Sequence, residues 1–160
     1  MHDFFELTRQ FMTGAETRRL LDAVIFNILI GNVDSHAKNY SMIISADRAS
    51  LAPLYDLMCG AAWESITLNH AQSIGGQRRG MHIRRQHWMR MAEECGLNGT
   101  AVARQVVRLA DAVLRHLDSA IEAVRAMPAG DHPILNVARD EIRMLCVTLR
   151  RNAERSNAPR

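Results

Sequence analysis

Gly31-Asn-Val-Asp-Ser-His-Ala-Lys-Asn39 is the stretch on which the reading of this chain turns. It packs two asparagines, an aspartate, a histidine and a lysine into nine residues, directly after the most apolar segment of the sequence. That segment, Glu16 to Ile30, carries Leu20, Leu21, Val24, Ile25, Phe26, Ile28 and Leu29 nearly all round, which predicts a central buried helix. Its β-branched content also suits a strand, but its length favours a helix, and Gly31 and Asn32 end it. Downstream, Ser41 to Ile44 and Ser50 to Leu54 flank Ser45-Ala-Asp-Arg-Ala49 and predict a small hairpin. From Arg85 the pattern is helical. Gln86 to Cys95 stops at Gly96, and Val102, Val106, Leu109, Val113, Leu117, Ile121 and Val124 then line one face of a long helix. Met127-Pro-Ala-Gly130 breaks it. Asp131 is placed to cap a last helix with Pro133 in its first turn and Ile134, Ala138, Ile142, Leu145 and Leu149 inward. The expected fold is mainly α with one small β-hairpin, in a single domain over residues 1–160.

Composition narrows the setting. Hydrophobic residues at 48% and charged residues at 23% suit a globular core and exclude a disordered chain. The longest apolar stretch, Ala23 to Ile30, is interrupted by Asn27 and is far too short to span a bilayer. Met1-His-Asp-Phe-Phe-Glu6 lacks the basic segment and apolar run of a secretory signal. Cys59, Cys95 and Cys146 are widely spaced and odd in number, which argues against a disulfide framework or a zinc ribbon and for a cytoplasmic setting with reduced thiols. Net charge is +3, but Lys38 is the single lysine among twenty lysines and arginines. Arginine bias explains most of that imbalance. A lone lysine retained in the polar loop hints that an ammonium is wanted there.

A polar loop between a helix and a hairpin is ordinarily just solvated, so the chemistry rests on density and spacing. Asp34 and Asn39 stand five positions apart, as the aspartate and asparagine of a kinase catalytic loop do. After the hairpin comes Leu54-Tyr-Asp56, a second carboxylate at the place of the kinase aspartate that binds Mg²⁺. An aspartate and an asparagine converging on ATP are suitable ligands for a hard cation that also takes phosphate oxygens. Asp34 can then align a substrate hydroxyl and accept its proton.

The run Gly31-Asn-x-Asp34-x-His36-x-Lys38-Asn39, followed by Pro53-Leu-Tyr-Asp56, resembles the signature of the HipA family of toxin kinases. Ser73-Ile-Gly-Gly76, His87-Trp88 and Gly96-Leu97 extend the likeness across essentially the whole chain. The resemblance implies a protein-kinase-like C-terminal lobe that transfers the γ-phosphoryl group of ATP to a protein serine or threonine. In it Asp34 is the catalytic base, Asn39 and Asp56 bind Mg²⁺, and His36 and Lys38 support the loop or the phosphates. It also implies a HipB-like helix-turn-helix antitoxin as partner, DNA reached only through that antitoxin, and a translation component such as an aminoacyl-tRNA synthetase as substrate. Asn32-Val-Asp34 stands where ordinary kinases have His-Arg-Asp, and Asp56-Leu-Met58 where they have Asp-Phe-Gly. With about a dozen residues before the first expected helix, the ATP-gripping N-terminal lobe is expected to be absent from this chain. Lys38 leaves no other lysine to pair with the α/β-phosphates.

Other features carry less. Gly75-Gly-Gln-Arg-Arg-Gly80 lacks the Lys-Ser/Thr of a phosphate cradle and an obvious strand before it, so a mobile loop is expected, with its arginines, Arg84 and Arg85 forming a basic surface. His70, His82 and His87 have no metal-ligand spacing and read as core or surface histidines. Trp63 and Trp88 read as core or lobe-packing residues, and Arg104, Arg108 and Arg115 as the solvated face of the long helix. Two functions compete: a kinase lobe completed by an N-lobe, and an inactive fragment serving as an antitoxin-docking or transcriptional partner. Neither a helix-turn-helix nor an aromatic–basic pattern supports direct DNA binding.

Overall fold

The computed structural model describes residues 1–128 and 130–155. Its five helices are α1 (His2–Phe11), α2 (Gly14–Leu29), α3 (Arg85–Glu94), α4 (Gly99–Arg125) and α5 (Ile134–Glu154). Two separate antiparallel pairs, β1 (Met42–Ile44) with β2 (Ala49–Leu51) and β3 (Asn69–Ile74) with β4 (Gln77–Arg79), lie between α2 and α3. The mainly helical reading holds, with one more hairpin than expected.

Helix α2 is the axis of the core. Leu20, Val24, Ile25, Ile28 and Leu29 are buried in one cluster with Phe5 of α1, Trp88 and Met91 of α3, Val102 and Val106 of α4, and Leu145 and Leu149 of α5. The long amphipathic α4 starts at Asn98, whose Oδ1 accepts from Ala101 N–H at 2.9 Å. Of its expected face Val102, Val106, Leu117 and Ile121 are buried and Leu109 and Val113 half-buried, but Val124 is exposed. The β1–β2 hairpin docks on α2 through Glu16, whose carboxylate accepts from Leu51 N–H at 2.7 Å. That bond foremost, with Arg19 beside it, holds Glu16 below the usual carboxylate range.

Three expectations need correction. The first dozen residues form a helix, α1, anchored by buried Phe5 and Thr8. Helix α5 begins at Ile134 with Pro133 as its N-cap and no side-chain cap, so Asp131 does not cap it; Ala129, in the expected break, lies outside the described residues. Of the two tryptophans read as core or lobe-packing residues, Trp88 is fully buried in the core and Trp63 is exposed. The glycine-rich segment 75–80 is no mobile loop: it follows a strand, and Gly75-Gly76 is the turn of a hairpin. Only Ile74 of β3 is large and apolar, so alternation gave no strand signal, and tertiary packing decides the matter. A Cβ on Gly75 (φ +51) would sit 2.3 Å from the His87 carbonyl oxygen, whereas one on Gly76 (φ +85) would meet nothing closer than the Arg90 guanidinium at 3.7 Å. Gly75→Ala is therefore expected to lose clearly more stability than Gly76→Ala, which bears only the left-handed strain of roughly 1–2 kcal/mol. Equal losses in urea unfolding would show that the turn is not packed on α3.

Candidate active site

The polar loop is held from beneath by a chain of buried amides. At Gly31 (φ +69) the backbone turns out of α2, and Asn32 N–H reaches back to the Asn27 carbonyl at 2.9 Å. A Cβ on Gly31 would crowd Ala61 and Leu145 at 3.0 and 3.1 Å, so the tight exit requires glycine for space as well as for φ. Asn27, buried in the last turn of α2, donates to Tyr40 Oη at 3.0 Å and accepts from Asn32 Nδ2 at 2.8 Å. The same Asn32 Nδ2 donates to the Asp56 carbonyl at 3.0 Å. One amide thus ties the loop to the segment carrying the second carboxylate. Burial pushes the Tyr40 hydroxyl up to about 12, so it stays protonated in this network.

The second hairpin supports the loop from the side. His70 of β3 is buried and its Nδ1 lies 3.1 Å from the Asn32 carbonyl, while Ala71 N–H donates to the Val33 carbonyl at 2.8 Å. Burial lowers the His70 pKa from its ordinary 6.5, only partly offset by the Asn32 bond, so a neutral ring with Nδ1–H donating is the resting form. It borders a cavity of about 340 Å³ that Arg79, His82 and Glu141 also line. Since the folded pKa lies below the unfolded one, the unfolded chain binds more protons in that window and stability rises with pH across it. Stability should therefore fall as pH drops below 6.5, and His70→Gln should flatten that slope. Urea midpoints that change equally with pH in both proteins would contradict it.

On this support the five residues singled out in the sequence come together. Asn39, buried at the end of a 3-10 turn (Ala37–Asn39), donates through Nδ2 to the Asp34 carbonyl at 3.0 Å and to Asp56 Oδ2 at 2.9 Å. Asp34 is exposed, and His36 Nε2 lies 3.0 Å from its Oδ1. Lys38 is exposed as well, and its carbonyl accepts from Tyr55 Oη at 2.7 Å; that hydroxyl also meets Ser41 Oγ at 2.7 Å. Asp56 adopts φ +56, a left-handed conformation that turns its carboxylate back toward Asn39.

The donor set fits a magnesium ion. Asn39 commits its NH₂ to two bonds, and among the described residues its Oδ1 and Asp56 Oδ1 accept none, leaving one hard oxygen on each of the two residues that the clamp joins. No group of three or more His, Cys, Asp or Glu gathers around a common point among the described residues. That suits Mg²⁺, which takes one or two protein oxygens and completes its shell with water and phosphate. Sequence reasoning missed Asn27, Tyr40, Tyr55 and His70. Asn27 left a trace as the one polar break in an apolar helix, and Tyr55 sits within the quoted motif; a buried role for His70 had no local signal.

A family model described as the HipA-like C-terminal domain matches residues 1–121. "Putative kinase Y4mE" of Sinorhizobium fredii is 31% identical over 122 residues, which is 75% of this chain and 29% of that protein. Among solved structures, a chain of the Shewanella oneidensis MR-1 toxin–antitoxin complex of HipA, HipB and operator DNA matches with a TM-score of 0.74. That match has 22% identity and covers 92% of this chain and 34% of the other, so it shows the fold. The chain spans 29% and 34% of the lengths of these two proteins. No helix among the described residues is long and apolar enough to cross a membrane.

Proposed function

The chain belongs to the HipA-like C-terminal domain family, and on that premise we propose that it is the phosphoryl-transfer lobe of a serine/threonine kinase of the toxin–antitoxin type. The observation that carries the reading is the Asn39 clamp, which joins the Asp34 backbone to the Asp56 carboxylate. Asn39 and Asp56 hold Mg²⁺, whose charge offsets that of the ATP phosphates. Asp34 orients the acceptor hydroxyl. As the hydroxyl oxygen bonds to the γ-phosphorus, the bond from that phosphorus to the bridging oxygen of ADP breaks, and the proton passes to Asp34. His36 steadies the Asp34 carboxylate, and Lys38 offers its ammonium to the phosphates.

Because Lys38 is the only lysine, the cation over the α/β-phosphates comes from outside these 160 residues, on an ATP-gripping lobe. The exposed apolar side chains of Met42, Ile43, Ile44, Leu54 and Leu57 beside the site support a further lobe there. A helix-turn-helix antitoxin that brings the assembly to DNA, a translation component as phosphate acceptor, and a cytoplasmic setting complete the proposal. The 160-residue chain should unfold cooperatively yet bind ATP·Mg²⁺ poorly by isothermal titration, and binding should tighten when an N-lobe is added. Tight binding and robust phosphorylation by the chain alone would overturn the division of labour.

A further inference from the structure

A cleft of about 680 Å³ opens beside His36, the partner of Asp34, and His2, Phe4, Ala71, Ser73 and Glu94 also line it. Its floor is an unfinished sheet edge. Gly75-Gly76 closes a two-residue turn with Ile74 facing Gln77, and the register slips between Ile74 and Asn69, which faces Arg79. Directly before Ile74 the backbone groups of Ser73 point to the edge opposite β4, and Ala71, two residues earlier, faces the same way. Ala71 N–H is taken by the Val33 carbonyl, but among the described residues Ser73 has no backbone partner on that edge. Between them Gln72, also lining the cleft, leaves its Nε2 buried without a hydrogen-bond partner. A backbone edge without a partner, at the wall of an open cleft, is a group whose partner an incoming chain can supply.

We infer that this cleft holds the phosphate acceptor as an extended segment, which adds to β3 at Ser73 by backbone hydrogen bonds and delivers a serine or threonine hydroxyl to Asp34. The inference rests on the kinase reading above. Its geometry follows from Val33: this residue already occupies the lane beside β3 at Ala71, and a strand pairing at Ser73 continues that lane two residues, or about 7 Å, further on. Asp34 directly follows Val33, so a side chain entering along the lane arrives at its carboxylate. Main-chain pairing of this kind supplies affinity that depends little on sequence, while the walls set preference.

A soluble seven-residue peptide of alternating threonine and valine, with a central serine and lysine ends, is the probe. Titrated to millimolar concentration into the isotopically labelled chain, it should shift the Ser73 and Ala37 amides and slow hydrogen exchange at Ser73. Ser73→Ala keeps the N–H and should bind equally. Ser73→Pro removes it at an edge position that tolerates proline and should bind roughly tenfold more weakly. Should the proline variant fail to fold, the fully N-methylated peptide serves instead: it cannot pair with β3, and loss of the Ser73 shift is the expected result. Absence of any shift at Ser73, equal binding of the N-methylated peptide, or pairing at β1 would overturn the inference. ATP·Mg²⁺ added to the labelled chain after it is completed with an N-lobe reports separately on Asn39 and Asp56. Peptide binding without nucleotide binding in that assembly would overturn the kinase reading and leave the cleft standing, and the reverse would remove the cleft alone.

Discussion

Asp34→Asn, in an assembly that holds a complete ATP site, is expected to lower phosphate transfer by about 10²–10⁴-fold, the range of a general base. The melting temperature should barely move. What the architecture needs from residue 34 is its carbonyl, the acceptor for Asn39 Nδ2, and asparagine retains it. The side chain is exposed, and its one close partner is His36, which an asparagine amide can still meet by hydrogen bonding. Loss of activity with an unchanged melting curve therefore isolates the carboxylate. An assay in which the mutant assembly phosphorylates at the wild-type rate would remove Asp34 from the chemistry.

Substitution at Asp56 is expected to weaken Mg²⁺-dependent nucleotide binding by at least the 10–100-fold that follows when even an outer partner of a metal ligand is lost. Here the choice of replacement matters, because Asp56 stands at φ +56. Alanine removes the carboxylate and adds roughly 1–2 kcal/mol of left-handed strain, whereas glycine removes the carboxylate and relaxes the backbone. Asp56→Gly should thus lose metal-dependent binding with little loss of stability, and Asp56→Ala should lose both. Titration of Mg²⁺ at fixed nucleotide, paired with thermal unfolding of each variant, separates the two effects. Undiminished magnesium dependence in the glycine variant would mean that Asp56 is a structural partner of Asn39 and nothing more.

The parts of this molecule that could be read from the chain are those whose physics is local. Helices α2 and α4 announce themselves because a buried stripe must recur every three or four residues, and the nearness of Asp34, His36 and Asn39 because one short loop carries all three. The first hairpin is similarly marked by two apolar segments about a polar turn. The second hairpin is not. Asn69, His70, Gln72 and Ser73 have little strand character, and β3 forms because Val33 offers a carbonyl and α3 offers a seat for Gly75. Asn27 and His70 were opaque for the same reason: a buried polar side chain is explained only by its partner, and both find theirs in Asn32. Asp131 failed as a cap although residue type and position favoured it, since Pro133 already starts the helix.

Lys38 stands exposed on the rim of the loop, and it is the one lysine in the chain. Chemically, this makes the loop addressable. A reagent that acylates primary amines meets two targets in the whole polypeptide, the α-amino group and Lys38. With the terminus blocked first, such a reagent places a single fluorophore or affinity tag at the loop with no mutation, and a lysine-specific protease cuts the chain once, between Lys38 and Asn39. The composition that looked like a bias toward arginine thus supplies a built-in reporter on the residues that matter most.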